Sequence, residues 1–279
     1  MAEKKDNWSS EAYQHSASFV PKLATKILQW LDPQKDDVIL DIGCGDGILN
    51  LQIHEVLAQG NGSIHGIDSS PAMIEAATKA AESAGASKCT FETLDARALP
   101  QTPHLQKGQY TKAFSNAALH WILACPPASQ LSVFTGIRDA LAPNSLFAFE
   151  MGGLGNVSEM RAALLGAVAA RVGLDVAVRH DPWFFPDEAW ATRVLETDVG
   201  GWKVERVERE WRPTRADEGG VEGWVRLFGA RFFEALPEGE EREACVRDVV
   251  RVLEVVCRNP GDGGFSLGYV RLRVLARRL

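Results

Sequence analysis

Val38-Ile39-Leu40-Asp41-Ile42-Gly43-Cys44-Gly45-Asp46-Gly47 is the stretch on which the reading of this 279-residue chain turns. Its first half is a nearly continuous apolar run, the pattern of a strand buried on both faces of a parallel sheet. Its second half breaks into glycines, which permit a tight turn and let a ligand approach the backbone with no side chain between. Leu49, Ile53, Val56 and Leu57 then mark a helix, and one beginning near Asp46 would aim its free N–H groups at the turn's occupant. An isolated Gly-x-Gly is as often a plain connecting turn. Here Asp68 ends the next apolar run, Ser63 to Asp68, about 20 residues on, as nucleotide-binding sheets require. A carboxylate there can accept from both hydroxyls of a ribose.

Working outward, Phe19, Leu23, Ile27 and Leu31 share one face of a helix expected from His15, which Asp32-Pro33 stops. Ser70 and Pro71 fit the N-cap and first position of a helix running to about Ala84. Cys89 to Leu94, Tyr110 to Ser115 and Leu146 to Met151 read as strands, the last two separated by a helix from about Ser129 to Pro143. Strands alternating with helices argue for an open parallel sheet covered on both faces.

After Gly152 the pattern changes. An alanine-rich helix runs to about Arg171, and Asp181-Pro182-Trp183-Phe184-Phe185-Pro186 precedes another. Lys203 to Trp211 is ambiguous: Val204, Val207 and Trp211 have helical spacing, yet their residue types suit a strand. Helices are expected over roughly 221–235 and 240–257. The chain closes on a strand with Val270, Leu272, Val274 and Ala276 on one face and Arg271 and Arg273 on the other.

Composition narrows the function. A net charge of -7 argues against broad binding to nucleic acid or anionic membrane. The five cysteines are scattered, with no Cys-x-x-Cys pair, which fits reduced thiols rather than a disulfide framework or a metal site. The polar start and the lack of a long apolar run fit a soluble, cytoplasmic protein.

The glycine spacing bears on the ligand. Dinucleotide sites use Gly-x-Gly-x-x-Gly to face a pyrophosphate, whereas this chain has Gly-x-Gly-x-Gly flanked by Asp41 and containing Asp46. Two carboxylates would repel a pyrophosphate and favour the amino group and sulfonium of S-adenosylmethionine. The segment Val38 to Gly47 resembles the first motif of the class I, Rossmann-like S-adenosylmethionine-dependent methyltransferases. Asp68, Asp95-Ala96 and the run Phe114 to Trp121 match later positions of that family. Trp8 with Tyr13, Glu222-Gly223-Trp224 and Tyr269 to Arg273 extend the likeness to the branch containing trans-aconitate methyltransferase. His120 stands where the bacterial trans-aconitate enzymes usually have Gln, and the likeness weakens after Met151.

The resemblance implies a seven-stranded, doubly wound α/β sheet in the order 3-2-1-4-5-7-6, its last strand antiparallel, with helices on both faces and a helical cap. That order makes Lys203 to Trp211 a strand. The chain would be one domain over 1–279: a lid and helix at 1–31, a cofactor-binding core at 37–151, then acceptor-side cap helices and the last two strands at 152–279. Cofactor contacts are expected from Asp41, Gly43, Cys44, Gly45, Asp68, Ser69, Asp95, Ala96, Asn116 and Ala117. Trp8 and Tyr13 would close over the cofactor, with simple anchoring of the arm as the plainer alternative.

His120 is the candidate catalytic residue, as base or substrate positioner, or it merely lines the pocket. Trp121, Gly153 and Trp183 join it as candidate substrate contacts. Clustered aromatics such as Trp183, Phe184 and Phe185 are more often packing anchors, and Glu222 with Trp224 reads as structural. The expected activity is methyl transfer to a small organic acceptor at a carboxylate or hydroxyl oxygen, leaving S-adenosylhomocysteine, by a monomer or homodimer. The rivals are a cofactor-binding protein that does not methylate, serving as a partner subunit or rearrangement catalyst, and an NAD(P)-dependent oxidoreductase.

Overall fold

The computed structural model describes residues 24–279. Trp8, Tyr13 and the start of the helix expected from His15 lie outside the described residues. Helix α1 (Thr25–Leu31) buries Ile27, Trp30 and Leu31 and ends where Asp32 turns left-handed ahead of Pro33. Strand β1 (Val38–Ile42) leads through the glycines into α2 (Ile48–Leu57), two residues later than Asp46, because Gly47 occupies the N-cap with positive φ. Strand β2 (Ser63–Asp68) is followed by α3 (Pro71–Ser83), where the Ser70 hydroxyl accepts from the Met73 N–H and Pro71 supplies a preset first turn.

Strand β3 (Cys89–Thr93) passes into a short 3-10 helix, Ala96–Gln101, capped by Asp95. Strand β4 (Tyr110–Asn116) runs into a single turn, α4 (Leu119–Ile122), then α5 (Pro127–Ala140) and β5 (Leu141–Gly152). The second half contains α6 (Ser158–Val172), α7 (Leu174–Arg179), α8 (Glu188–Arg193) with a π turn at Val194–Val199, and β6 (Trp202–Arg215). Helices α9 (Gly220–Phe228), α10 (Ala230–Phe233) and α11 (Glu240–Val256) precede the last strand, β7 (Ser266–Arg278).

The sheet order is β3-β2-β1-β4-β5-β7-β6. The first five strands are parallel, and β7 runs antiparallel between β5 and β6. The last two strands therefore extend the sheet of the first five. One face packs under α1 and α2 through Ile27, Leu31, Ile39, Ile53 and Leu57. The other packs against α5 and α8 through Phe134, Ile137, Phe147, Phe149 and Leu195. A third apolar cluster joins α6, α9, α10 and α11 to Leu267 and Tyr269 of β7.

One sequence expectation changes and one ambiguity closes. Lys203 to Trp211 lies within strand β6, as the sheet order implies, despite its helical spacing. A register shift between Val204 and Arg206 gives the strand an extra residue, so Val204 opposes Ala276 and Val207 opposes Val274, on one face despite being three apart. The helix expected over 221–235 is two helices broken at Gly229, where a Cβ would lie 2.5 Å from the Val225 carbonyl oxygen and 2.9 Å from Leu164 of α6. The face of the last strand that carries arginines is buried as well: Arg271 and Arg273 are 3% and 1% exposed.

Candidate active site

A cavity of about 490 Å³ opens along the carboxyl ends of β1, β2 and β4, where ligands bind in open α/β sheets. At one end lies the glycine loop. Gly43, Gly45 and Gly47 all have positive φ, and a Cβ on Gly43 would lie 2.2 Å from that of Ala118. The loop is folded onto the end of β2: the N–H groups of Gly43 and Cys44 donate to the Ile67 carbonyl at 2.8 and 3.1 Å. Gly45 N–H donates to Asp68 Oδ2 at 3.1 Å, and Gly47 N–H to the Cys44 carbonyl at 3.2 Å. These donors are already engaged within the protein, so the loop does not present the row of open N–H groups that a pyrophosphate needs.

Asp68 is fixed from both sides, since its Oδ1 accepts from Ser70 N–H at 2.9 Å. Asp95 accepts from the Arg97 N–H at 3.0 Å and chelates its guanidinium at 2.8 and 3.0 Å. With Ser69 and Ala96 they line the cavity beside Leu49, Met73 and Leu94. At the end of β4, Asn116 lines the cavity with its buried Oδ1 lacking a hydrogen-bond partner among the described residues. A fixed carboxylate for ribose hydroxyls, an apolar slot for a base and a buried acceptor for an ammonium fit the parts of S-adenosylmethionine.

Asp41 lies beneath the loop rather than on the cavity wall. Burial first, then the neighbouring Asp68 charge, pushes its carboxyl up to about 8 from an ordinary 3.8. Asn50 lies close enough to offset this slightly, although its amide makes no hydrogen bond of good geometry. Cys44, also on the wall, stays a thiol: burial, then the charges of Asp41 and Asp68, raise it well above its ordinary range.

The other end of the cavity is aromatic. Trp121 lies 5.7 Å from Trp183 and 6.3 Å from Phe228, ring centre to ring centre. Trp183 in turn meets Phe185 at 5.8 Å and Trp224 at 5.9 Å. Trp183 and Phe185 are thus both packing anchors and cavity wall, and Trp224, read from sequence as structural, also faces the cavity. Its Nε1–H donates to the Tyr269 hydroxyl at 2.6 Å. Burial pushes that phenol up to about 12. Phe184 turns away to pack on Trp190, and Arg161 is held by Asp181 at 2.6 Å.

His120 sits where the two ends meet, 6% exposed. Its Nδ1 accepts the Gly152 N–H at 3.2 Å, and its carbonyl accepts the Phe184 N–H at 2.9 Å. Burial, then the Arg271 charge, holds the imidazole well below its ordinary 6.5. It is therefore neutral, with its proton on Nε2. Gly153 lies outside the cavity: its N–H donates to Val270, and a Cβ there would press on Leu272. Sequence reasoning missed Arg271, Tyr269 and Asn156 on the wall, because a strand pattern shows which face a residue takes but not what covers it.

Among the described residues no cluster of three or more His, Cys, Asp or Glu side chains could hold a metal ion, and no helix is long and apolar enough to cross a membrane. All five cysteines are free.

Sheet order, the glycine loop and an acidic residue at the end of β2 together define a Rossmann-like fold of the kind that holds an adenosine cofactor. Residues 33–169 match the family model described as a methyltransferase domain. Over 98% of its length the chain is 36% identical to 99% of an uncharacterised methyltransferase, C70.08c, of Schizosaccharomyces pombe. It is 28% identical over 145 residues to trans-aconitate 2-methyltransferase of Escherichia coli O157:H7, covering 52% of this chain and 51% of that one. The structure is similar to geranyl diphosphate methyltransferase solved with S-adenosylmethionine, with a TM-score of 0.52 and 17% identity over 92% of this chain and 85% of that one. The chain belongs to the class I S-adenosylmethionine-dependent methyltransferases.

Proposed function

We propose that this methyltransferase modifies an oxygen atom of a small organic acceptor seated against the aromatic wall, with His120 orienting it. The observation that carries this reading is the donor character of the acceptor end. His120 presents an Nε2–H with no partner among the described residues, and the Arg271 guanidinium lines the same space. Asp46, Asp68 and Asp95 line the cofactor end, whereas no carboxylate of the described residues lines the acceptor end. An amine would meet donors and a positive charge there, while an oxygen acceptor is matched.

When bound, the cofactor supplies an electrophilic methyl group on its sulfonium, and transfer leaves S-adenosylhomocysteine. The protein's part is to hold the acceptor oxygen in line with that methyl group, which on its own gives large accelerations. His120 already carries a proton on the nitrogen with no protein partner, so it acts here as a hydrogen-bond donor rather than a base. Trp121, Trp183 and Phe228 exclude water from the transfer. The glycine loop's engaged N–H groups stand against the nicotinamide reading.

The test uses the full chain with methyl-tritiated S-adenosylmethionine and a panel of carboxylic acids, phenols and amines. Label is expected in the acids or phenols, and label from esters is released as methanol by mild base. Label confined to amines or to carbon would overturn the reading. Turnover should show no inflection from His120 as pH falls from 8 towards 6, because burial and the Arg271 charge hold its imidazole well below the ordinary range.

A further inference from the structure

Arg271 is a buried charge with few polar partners among the described residues. Three guanidiniums converge on the one buried carboxylate of Glu150. Arg273 Nε takes its Oε2 at 2.5 Å and Arg212 takes its Oε1 at 3.1 Å. Arg271 Nε stands at 3.7 Å from that same Oε1, beyond hydrogen-bond reach, and has no hydrogen-bond partner among the described residues. Arg273 has further partners in Glu208 at 2.8 Å and in Glu210. Arg271 has instead the Tyr269 ring, 4.7 Å below its guanidinium carbon. A buried cation with so little compensation is costly unless a ligand completes it.

It lies where a ligand can do so. Arg271 and His120 line the same acceptor end, tied together by the sheet: Gly152, which donates to His120, is the residue paired with Arg271 across β5 and β7. Around this polar pair the wall is Trp121, Trp183, Phe185, Trp224 and Phe228. We infer that the acceptor is a carboxylic acid on an apolar, flat or aryl-substituted body, its carboxylate seated on Arg271 and the His120 Nε2–H and its body on the tryptophans.

The inference rests on the oxygen-transfer reading and sharpens it. With no base at this end, the attacking oxygen must arrive already ionised, as a carboxylate is at neutral pH. Its electron pair forms the new O–C bond as the S–C bond breaks, so a neutral ester and S-adenosylhomocysteine result with no proton to place. Neutralising the acceptor also removes its hold on Arg271, which favours departure of the product.

The experiment measures binding of trans-cinnamate, its amide cinnamamide and trans-aconitate to the full chain saturated with S-adenosylhomocysteine, by quenching of tryptophan fluorescence. Cinnamate is expected to bind about tenfold or more tighter than cinnamamide. Arg271→Gln should abolish that difference by weakening cinnamate alone, with S-adenosylhomocysteine affinity unchanged, and Arg271→Lys should retain part of it. Equal binding of acid and amide to the wild type overturns the inference without any variant. Tighter binding of the tricarboxylate than of cinnamate overturns its apolar half. Phenol methylation alongside equal acid and amide binding would sink this inference and leave the oxygen reading standing. Arg271-dependent binding of cinnamate, with label transferred to amines alone, would sink the oxygen reading and the ester formation with it, leaving Arg271 only as a carboxylate seat.

Discussion

At the cofactor end of the cavity the glycine loop brings backbone to the wall, and the amides of Gly45 and Ser70 hold the Asp68 carboxylate. At the acceptor end the wall is side chains, carried on a loop, three helices and the inner face of β7. Backbone geometry depends on the few residues that permit it, so the first end can be read locally and is easily broken. Side-chain walls are assembled from positions far apart in sequence, so the second end can change residue by residue. Substitutions at the two ends should therefore separate cofactor affinity from acceptor affinity.

The largest separation is expected from Gly43→Ala. The new Cβ meets Ala118 in a backbone that L residues rarely adopt, at a cost on the order of 3 kcal/mol. Titration calorimetry should find S-adenosylhomocysteine affinity reduced about a hundredfold or more, with the cap's near-ultraviolet dichroism intact. Asp68→Ala comes next: it removes the ribose acceptor and frees the Gly45 and Ser70 N–H groups, for a loss of about 2–3 kcal/mol in the same titration. If either change weakened acceptor binding as strongly as cofactor binding, the two ends would not be separable.

Trp224→Phe probes the other end. It removes the Trp224 hydrogen bond to the buried Tyr269 hydroxyl, and thermal unfolding should show about 1–2 kcal/mol of lost stability. The acceptor KM should rise severalfold while S-adenosylhomocysteine affinity holds.

Asp41→Asn is the mildest at neutral pH. With its pKa near 8 the native carboxyl is mostly protonated there, and asparagine mimics that state. Between its ordinary 3.8 and about 8 the folded chain holds a proton that the unfolded chain has released. Asp41 therefore contributes falling stability as pH rises through that window. The variant should flatten that part of the slope in denaturant titrations from pH 5 to 8. An unchanged slope would mean that Asp41 is ionised in the folded protein.

The same contrast explains what could be read in advance. The loop, Asp68 and Asp95 announce themselves because turn, strand end and acidic residue are neighbours in sequence. Lys203 to Trp211 reads two ways on its own because the bulge after Val204 gives a strand two valines at a helix's spacing. Arg271 is visible as a strand residue but not as a buried one, since the elements that cover it are fixed by packing between Val157 and Leu253. The glycine at 153 drew attention as a ligand contact, yet it serves the close approach of Leu272.

The pairing of Gly152 with Arg271 has a consequence for how such an enzyme diversifies. The polar recognition pair hangs on one rung of the sheet, where a one-residue slip would turn Arg271 to the opposite face. The tryptophans and phenylalanines opposite it sit on a loop and on helices, free to be exchanged for other shapes. An evolving lineage could thus keep its anchor for a charged head and vary the body it accepts, altering specificity without disturbing the ladder on which the fold depends.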